Sequence, residues 1–426
     1  MMRPADRHVQ NRIQNVLIVC LVLSALFLLS RTELIGPDTF NRLFTSSVYS
    51  TENTNASQTS AQLPVRIAVR TGGVCQAWTG ETTGGNVFED LGPLLTEALG
   101  SASDGRTVDE KEFQRALENN SIYYDFTTTL PLSLLDAWIG GSANAPQTPA
   151  RALLLSSLQD GSVTLYGWDP EHDAYYCWST TVTAETLSSA AERHSGESAE
   201  FAFLSGESYQ ALAPYTLISQ ARQTLPELSV ASVLSSAECD QILMQLEFNV
   251  HSNSRYTESD GTLVIKQGLR TIRFEPDGTV YYSGTEADAA VLRPKHSGEA
   301  PTLQECTDAA WECISAITAD RIGDARLYLL SAQADQNGNA EIQFGYMLGG
   351  FPIFHPDDNT AQVTVEEGVI TSFTVHLRSY TSSEKSTALL PTLQAAAAVR
   401  SDGPAELLAG YWDGGNDTLS PTWLQK

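Results

Sequence analysis

Apolar residues recur along this chain in three rhythms. The first is an almost wholly apolar run, IQNVLIVCLVLSALFLL from Ile13 to Leu29, flanked by Arg12 and Arg31. Its length is close to the roughly 20 apolar residues that a membrane-spanning helix needs. It predicts a transmembrane anchor over 13–31 behind a cytoplasmic tail over 1–12, because Arg3, Arg7 and Arg12 hold the tail inside. The bulk of the chain is then extracytoplasmic. A cleaved signal peptide is the rival reading, but the following SRTELIGP lacks the small-residue cleavage pattern. Cys20 lies within the run behind Val19, which does not suit a lipoprotein site.

The second rhythm is helical. Leu91, Leu94, Leu95 and Ala98 share one face, as do Cys239, Ile242, Leu243 and Leu246 in a helix predicted over 236–248. A capping box from Thr107 to Glu110 predicts a helix that buries Phe113 and Leu117. A second box, Thr302 to Glu305, opens a helix with Leu303, Cys306, Ala310, Cys313 and Ile317 on one stripe. A weaker helix is expected at 184–193.

The third rhythm is alternation, the mark of strands. PVRIAVR (64–70) and SIYYDFTT (121–128) read as strands, and SVTLYGW (162–168) pairs with AYYCWST (174–180) across DPEHD. GTLVIKQG is followed by a hairpin on Pro276-Asp277-Gly278, and further strands run through ARLYLLSAQ, AEIQFGYMLGG and AQVTVEEGVITSFTVHLRSY. In the last, Phe373, Val375 and Leu377 face one side, while Ser372, Thr374, His376 and Arg378 face a wetter one.

These elements predict an α+β fold: one N-terminal transmembrane helix, then a multidomain region of antiparallel sheets with packed helices. A polar stretch without periodicity makes 32–62 a flexible linker. Pro and Gly near 140–150 suggest a boundary. The expected domains are therefore 63–142, 150–295 and 300–426. The last two each run helix, strands, then an acidic-Gly hairpin, with turns about 90 residues apart, as related modules would.

Charge narrows the picture. Removing Arg3, Arg7, Arg12, Arg31 and Asp6 from the totals of 25 basic and 51 acidic residues leaves 21 against 50, a net charge of −29 from residue 32 onward. Such a surface repels nucleic acid. Beyond the anchor, Cys75, Cys177, Cys239, Cys306 and Cys313 are an odd, scattered set, unlike a disulfide scaffold. They suit core packing.

Motifs for chemistry are sparse. The seven histidines form no HExxH or HxH pair, and no GxSxG elbow or phosphate loop occurs, so no metal, cofactor or catalytic residue is expected. Ser382-Ser383-Glu384-Lys385 matches S-x-x-K without its companion motifs, in what reads as a polar loop. Asp335-Gln336-Asn337-Gly338-Asn339 resembles a calcium loop, but its spacing favours a hairpin turn. Trp168, Tyr175, Tyr176 and Trp178 cluster on the 162–180 hairpin, with Trp168, Tyr176 and Trp178 as a candidate binding face for sugar or a partner. Cross-strand packing is the plainer account of that cluster.

The stretch FGYMLGGFPIFHPDDNTAQVTVEEGVITSFTVHLRSY (344–380) resembles the C-terminal segment of the YycH/YycI regulatory family of Gram-positive bacteria. Tyr346, Gly350, Pro352, Ile353, Phe354, Val363, Val365, Gly368 and Ile370 occupy its strand, G-x-P-I/V-F, V-x-V and Gly-turn places. The single anchor, the length and SIYYDFTTTLPLSLL (121–135) look like the YycH branch. Known members are membrane-anchored accessory proteins acting on the sensor kinase of an essential cell-wall two-component system. The resemblance thus implies a non-enzymatic regulator in the cell membrane, with a sensor histidine kinase and a second YycH/YycI-type protein as partners. Ser24 and Ala25 in the anchor are small enough for close helix contact. The alternatives are an anchored surface module binding cell-wall glycan or peptide, and an anchored cell-wall hydrolase.

Overall fold

Two adjacent glycines set the first turn. Gly72 and Gly73 both take positive φ, of 59° and 83°, which the tightest hairpins demand of their central residues. They join β1 (Arg66–Thr71) to β2 (Val74–Thr79). The computed structural model describes residues 62–425, other than 143, 220–221, 233, 251–253, 286–288, 297, 299, 336, 357–359 and 401–402. The expected tail and anchor, with Ser24 and Ala25, lie outside the described residues, as does the linker up to residue 61. Among the described residues no helix is long and apolar enough to cross a membrane.

Helix α1 (Glu81–Gly100) buries Leu91, Leu94, Leu95 and Ala98, as their spacing requires. After β3 (Ser103–Val108), helix α2 (Glu110–Glu118) is capped by Asp109, whose side chain accepts from the Glu112 N–H at 2.7 Å. The box expected at Thr107–Glu110 is thus displaced by two residues. Thr107 is committed to β3, where it pairs with Tyr176. Phe113 and Leu117 are buried as expected.

The boundary expected near 140–150 does not divide the structure. Strand β4 (Ser121–Pro131) leads into α3 (Leu132–Trp138), and the chain returns as β5 (Pro149–Ser157) directly beside β4, with Ile122 opposite Leu155. Apolar residues on both faces of β4 and β5 must be covered on both sides, so the chain continues the same sheet. With β6 (Ser162–Asp169), β7 (Ala174–Thr183), β8 (Glu197–Phe201) and β9 (Leu217–Ser219) it reaches nine strands, in the order β3-β7-β6-β5-β4-β1-β2-β8-β9. Helices α1, α3 and α4 (Ala184–Ala191) pack on one face; α2 and the segment carrying Phe201 and Tyr215 cover the other.

The rest of the chain builds a second layer. Strand β10 (Thr224–Ser232) precedes α5 (Ser236–Gln245) and the antiparallel ladder β11 (Ser254–Thr257), β12 (Leu263–Gln267), β13 (Arg270–Phe274) and β14 (Thr279–Ser283). Helix α6 (Leu303–Thr318) starts at the expected capping box, with both reciprocal bonds of Thr302 and Glu305 formed. Strands β15 (Arg326–Ala334), β16 (Ala340–Leu348), β17 (Phe351–Phe354), β18 (Ala361–Glu366) and β19 (Val369–His376) follow. Strands β14 and β19 pair, so the two ladders fuse into one eleven-stranded sheet, and Tyr282 stacks on Phe373 across the seam at 5.1 Å. Strand β21 (Leu407–Trp412) pairs with β17, and β23 (Thr422–Gln425) closes that edge. Strand β20 (Arg378–Ala388) and β22 (Thr418–Leu419) flank β10 in a separate small sheet. Residues 150–219 of the expected middle domain thus belong to the first sheet, whereas β10 pairs with strands from the C-terminal region.

The five described cysteines are free and buried. Between β15 and β16, Asp335 Oδ1 accepts from the N–H groups of Asn337 and Asn339, the bonding of a hairpin turn. The S-x-x-K match lies on β20 instead of in a loop, and its Lys385 pairs with Glu227 at 2.6 Å.

Candidate functional site

Where strand patterns are most apolar, they also carry charge. Arg66 sits in β1, Asp125 in β4 and Arg151 in β5, three neighbouring strands of the first sheet. Glu406, just before β21, completes a tetrad, and none of the four exceeds 7% exposure. Arg66 donates through Nε to Asp125 at 2.9 Å and also bonds Glu406. Arg151 bridges the same two carboxylates. Two positive and two negative charges thus cancel internally, which burial requires.

Electrostatics follow from this arrangement. Burial alone would raise the Asp125 carboxyl, but the Arg66 and Arg151 guanidiniums and the Thr127 N–H overcome it and hold it near about 2. Glu406 is lowered as well, against the same burial, by the same two arginines. Because both carboxylates are depressed in the folded chain, their stabilisation is complete above the ordinary carboxylate value. It is lost as pH falls from there towards about 2. The buried Tyr123 hydroxyl is raised, chiefly by burial and then by Asp125, and among the described residues it has no hydrogen-bond partner.

Asp125 also shapes the backbone. Its Oδ1 accepts from the Thr127 N–H at 2.8 Å, and Thr127 has a φ of 61°, unusual for a β-branched residue. Here the β4–β5 register breaks, between Asp125 and Leu130. Thr127, Thr128 and Thr129 turn this break towards a cleft of about 940 Å³, with Arg151 and Glu406 at its base. Trp168, Tyr175 and Pro214 come from the first layer, and Phe354, Trp412 and Leu424 from the second. Trp168 is held edge-on to Tyr215 at 4.7 Å, and the Arg151 guanidinium lies 5.6 Å from its ring centre. Glu110, Glu171 and Asp173 line the cleft with exposed side chains.

The candidate aromatic face of the hairpin is divided. Trp168 pairs with Tyr175, while Tyr176 pairs with Gly167 and Trp178 with Leu165. Successive strand residues point to opposite sides, so Trp168 and Tyr175 lie on the cleft side, and Tyr176 and Trp178 lie against the α1 core. Trp178 is 5% exposed and presses on Gly105, where any Cβ would meet its Nε1 at 2.4 Å. Of the four aromatics, Trp168 and Tyr175 belong to the cleft. The tetrad escaped sequence reading, although Arg66 and Arg151 interrupt otherwise apolar strand segments and signal a buried partner.

No family model matches the sequence, and no curated protein matches it. The fold does match a solved structure, that of YycH from Bacillus subtilis. The TM-score is 0.56 at 10% identity, over 87% of this chain and 94% of that one. The chain is therefore a mixed α/β protein built on large antiparallel sheets, with a YycH-like fold.

Proposed function

We propose that this chain is a membrane-anchored, non-enzymatic accessory protein whose extracytoplasmic part biases a sensor histidine kinase of a cell-wall two-component system. The observation that carries the reading is the YycH-like fold, which spans 87% of the chain. The apolar run Ile13 to Leu29 supplies the tether, and its small residues Ser24 and Ala25 allow close approach of a partner helix. A second YycH/YycI-type protein is the further partner that the family resemblance implies. To regulate, the chain must bind two kinase states with different affinity, by about 1–3 kcal/mol for a useful effect. The test replaces residues 13–31 with an unrelated spanning helix and measures a kinase-dependent reporter in cells. A several-fold change in output is expected, and unchanged output removes the anchor from the mechanism. Binding of cell-wall glycan or peptide is a second reading, favoured by the place of Trp168 on the cleft wall.

A further inference from the structure

We propose that the cleft between the two layers binds an organic cation, an ammonium or guanidinium group carried on an apolar or ring-shaped body. The proposal rests on the second reading, that the cleft takes a ligand, and is independent of the kinase. Its volume of about 940 Å³ lies within the range of small-molecule sites. Glu110, Glu171 and Asp173 line it, and among the described residues none of the three is in an ion pair. Asp173 directly precedes β7, and Glu110 follows β3, whose Val108 pairs with Tyr175, so both carboxylates stand at the Tyr175 end of the cleft. At the base, the charges of Arg151 and Glu406 are already matched within the tetrad. The excess charge offered to a ligand is therefore negative.

The walls add a second, independent preference. Trp412 is 48% exposed although it lines a cleft, and Trp168 and Phe354 also contribute to the lining. Aromatic faces attract cations and pack against apolar stems and sugar rings. Carboxylates beside tryptophans thus select a cation on an apolar body over an anion or a bare metal ion. Basic peptide side chains and free polyamines both have this chemistry.

The test is calorimetric titration of the full chain in phosphatidylcholine nanodiscs. The probes are triarginine, spermidine, triglutamate and a neutral N-acetylglucosamine tetramer. Triarginine is expected to bind and to weaken as salt is added. Its affinity should fall about tenfold in the Glu171→Gln/Asp173→Asn double variant, and again in Trp412→Ala. These side chains are at the surface, and Asn tolerates the left-handed backbone of Asp173, so the variants should fold, as circular dichroism will verify. Triglutamate should not bind. Spermidine binding as tightly as triarginine supports the same chemistry with a free polyamine as its source. Triarginine binding unaltered in both variants overturns the proposal. Binding of the neutral tetramer alone overturns the cation and leaves the cleft as a glycan site. Silence from every probe overturns both, without touching the anchor-swap result.

Discussion

Glu406 holds two arginines from strands far away in sequence, Arg66 being 340 positions earlier. Its replacement by Gln leaves two buried guanidiniums with one carboxylate. Breaking a buried ion pair on one side costs about 3–5 kcal/mol. Glu406→Gln should lower stability by that amount in urea titration, and a loss below about 1 kcal/mol would mean that the site readily admits water. The basic half of this cluster is visible in sequence: Arg66 in PVRIAVR and Arg151 in ARALLL stand where apolar residues would otherwise pack. The partner is not visible, because 51 acidic residues offer too many choices and only the fold selects Glu406.

Single elements are legible in the sequence where the signal is local. The Thr302–Glu305 box depends on four consecutive residues and forms as expected. Thr302→Ala should cost about 1 kcal/mol of stability, and equal denaturation midpoints for variant and parent would show that the cap contributes nothing. The Thr107–Glu110 box has the same spacing, yet it yields to Asp109, since pairing of Thr107 with Tyr176 satisfies its backbone first. The 162–180 hairpin teaches a related lesson. Its aromatic residues are close in sequence, but alternation and register send Trp168 to the cleft and Trp178 to the core.

Across the whole molecule, cores cross the expected boundaries. Leu130, Leu134 and Trp138 from the first layer join one core with Ile314, Phe344 and Leu419, and Trp138 meets Trp311 at 5.6 Å. Calorimetry on the full chain should therefore give one dominant transition for residues 62–425, and three well-separated transitions would restore three independent domains. By itself the sequence determined those elements whose signal is local, among them α1, α5, α6, β1, β4 and the β6–β7 and β13–β14 hairpins, because periodicity, capping or turn chemistry acts within a few residues; α3, β5 and β20 carry no such signal. The N-terminal apolar run is legible in the same way, as an expectation of a tether. Tertiary structure alone decided that residues 149–219 join the first sheet, that β14 and β19 fuse two ladders, and that four buried charges lie beside a cleft. Strand neighbours are chosen by which buried faces must be covered, and charge partners by which side chains are buried together. Both depend on contacts between residues far apart in the chain, which local pattern does not encode.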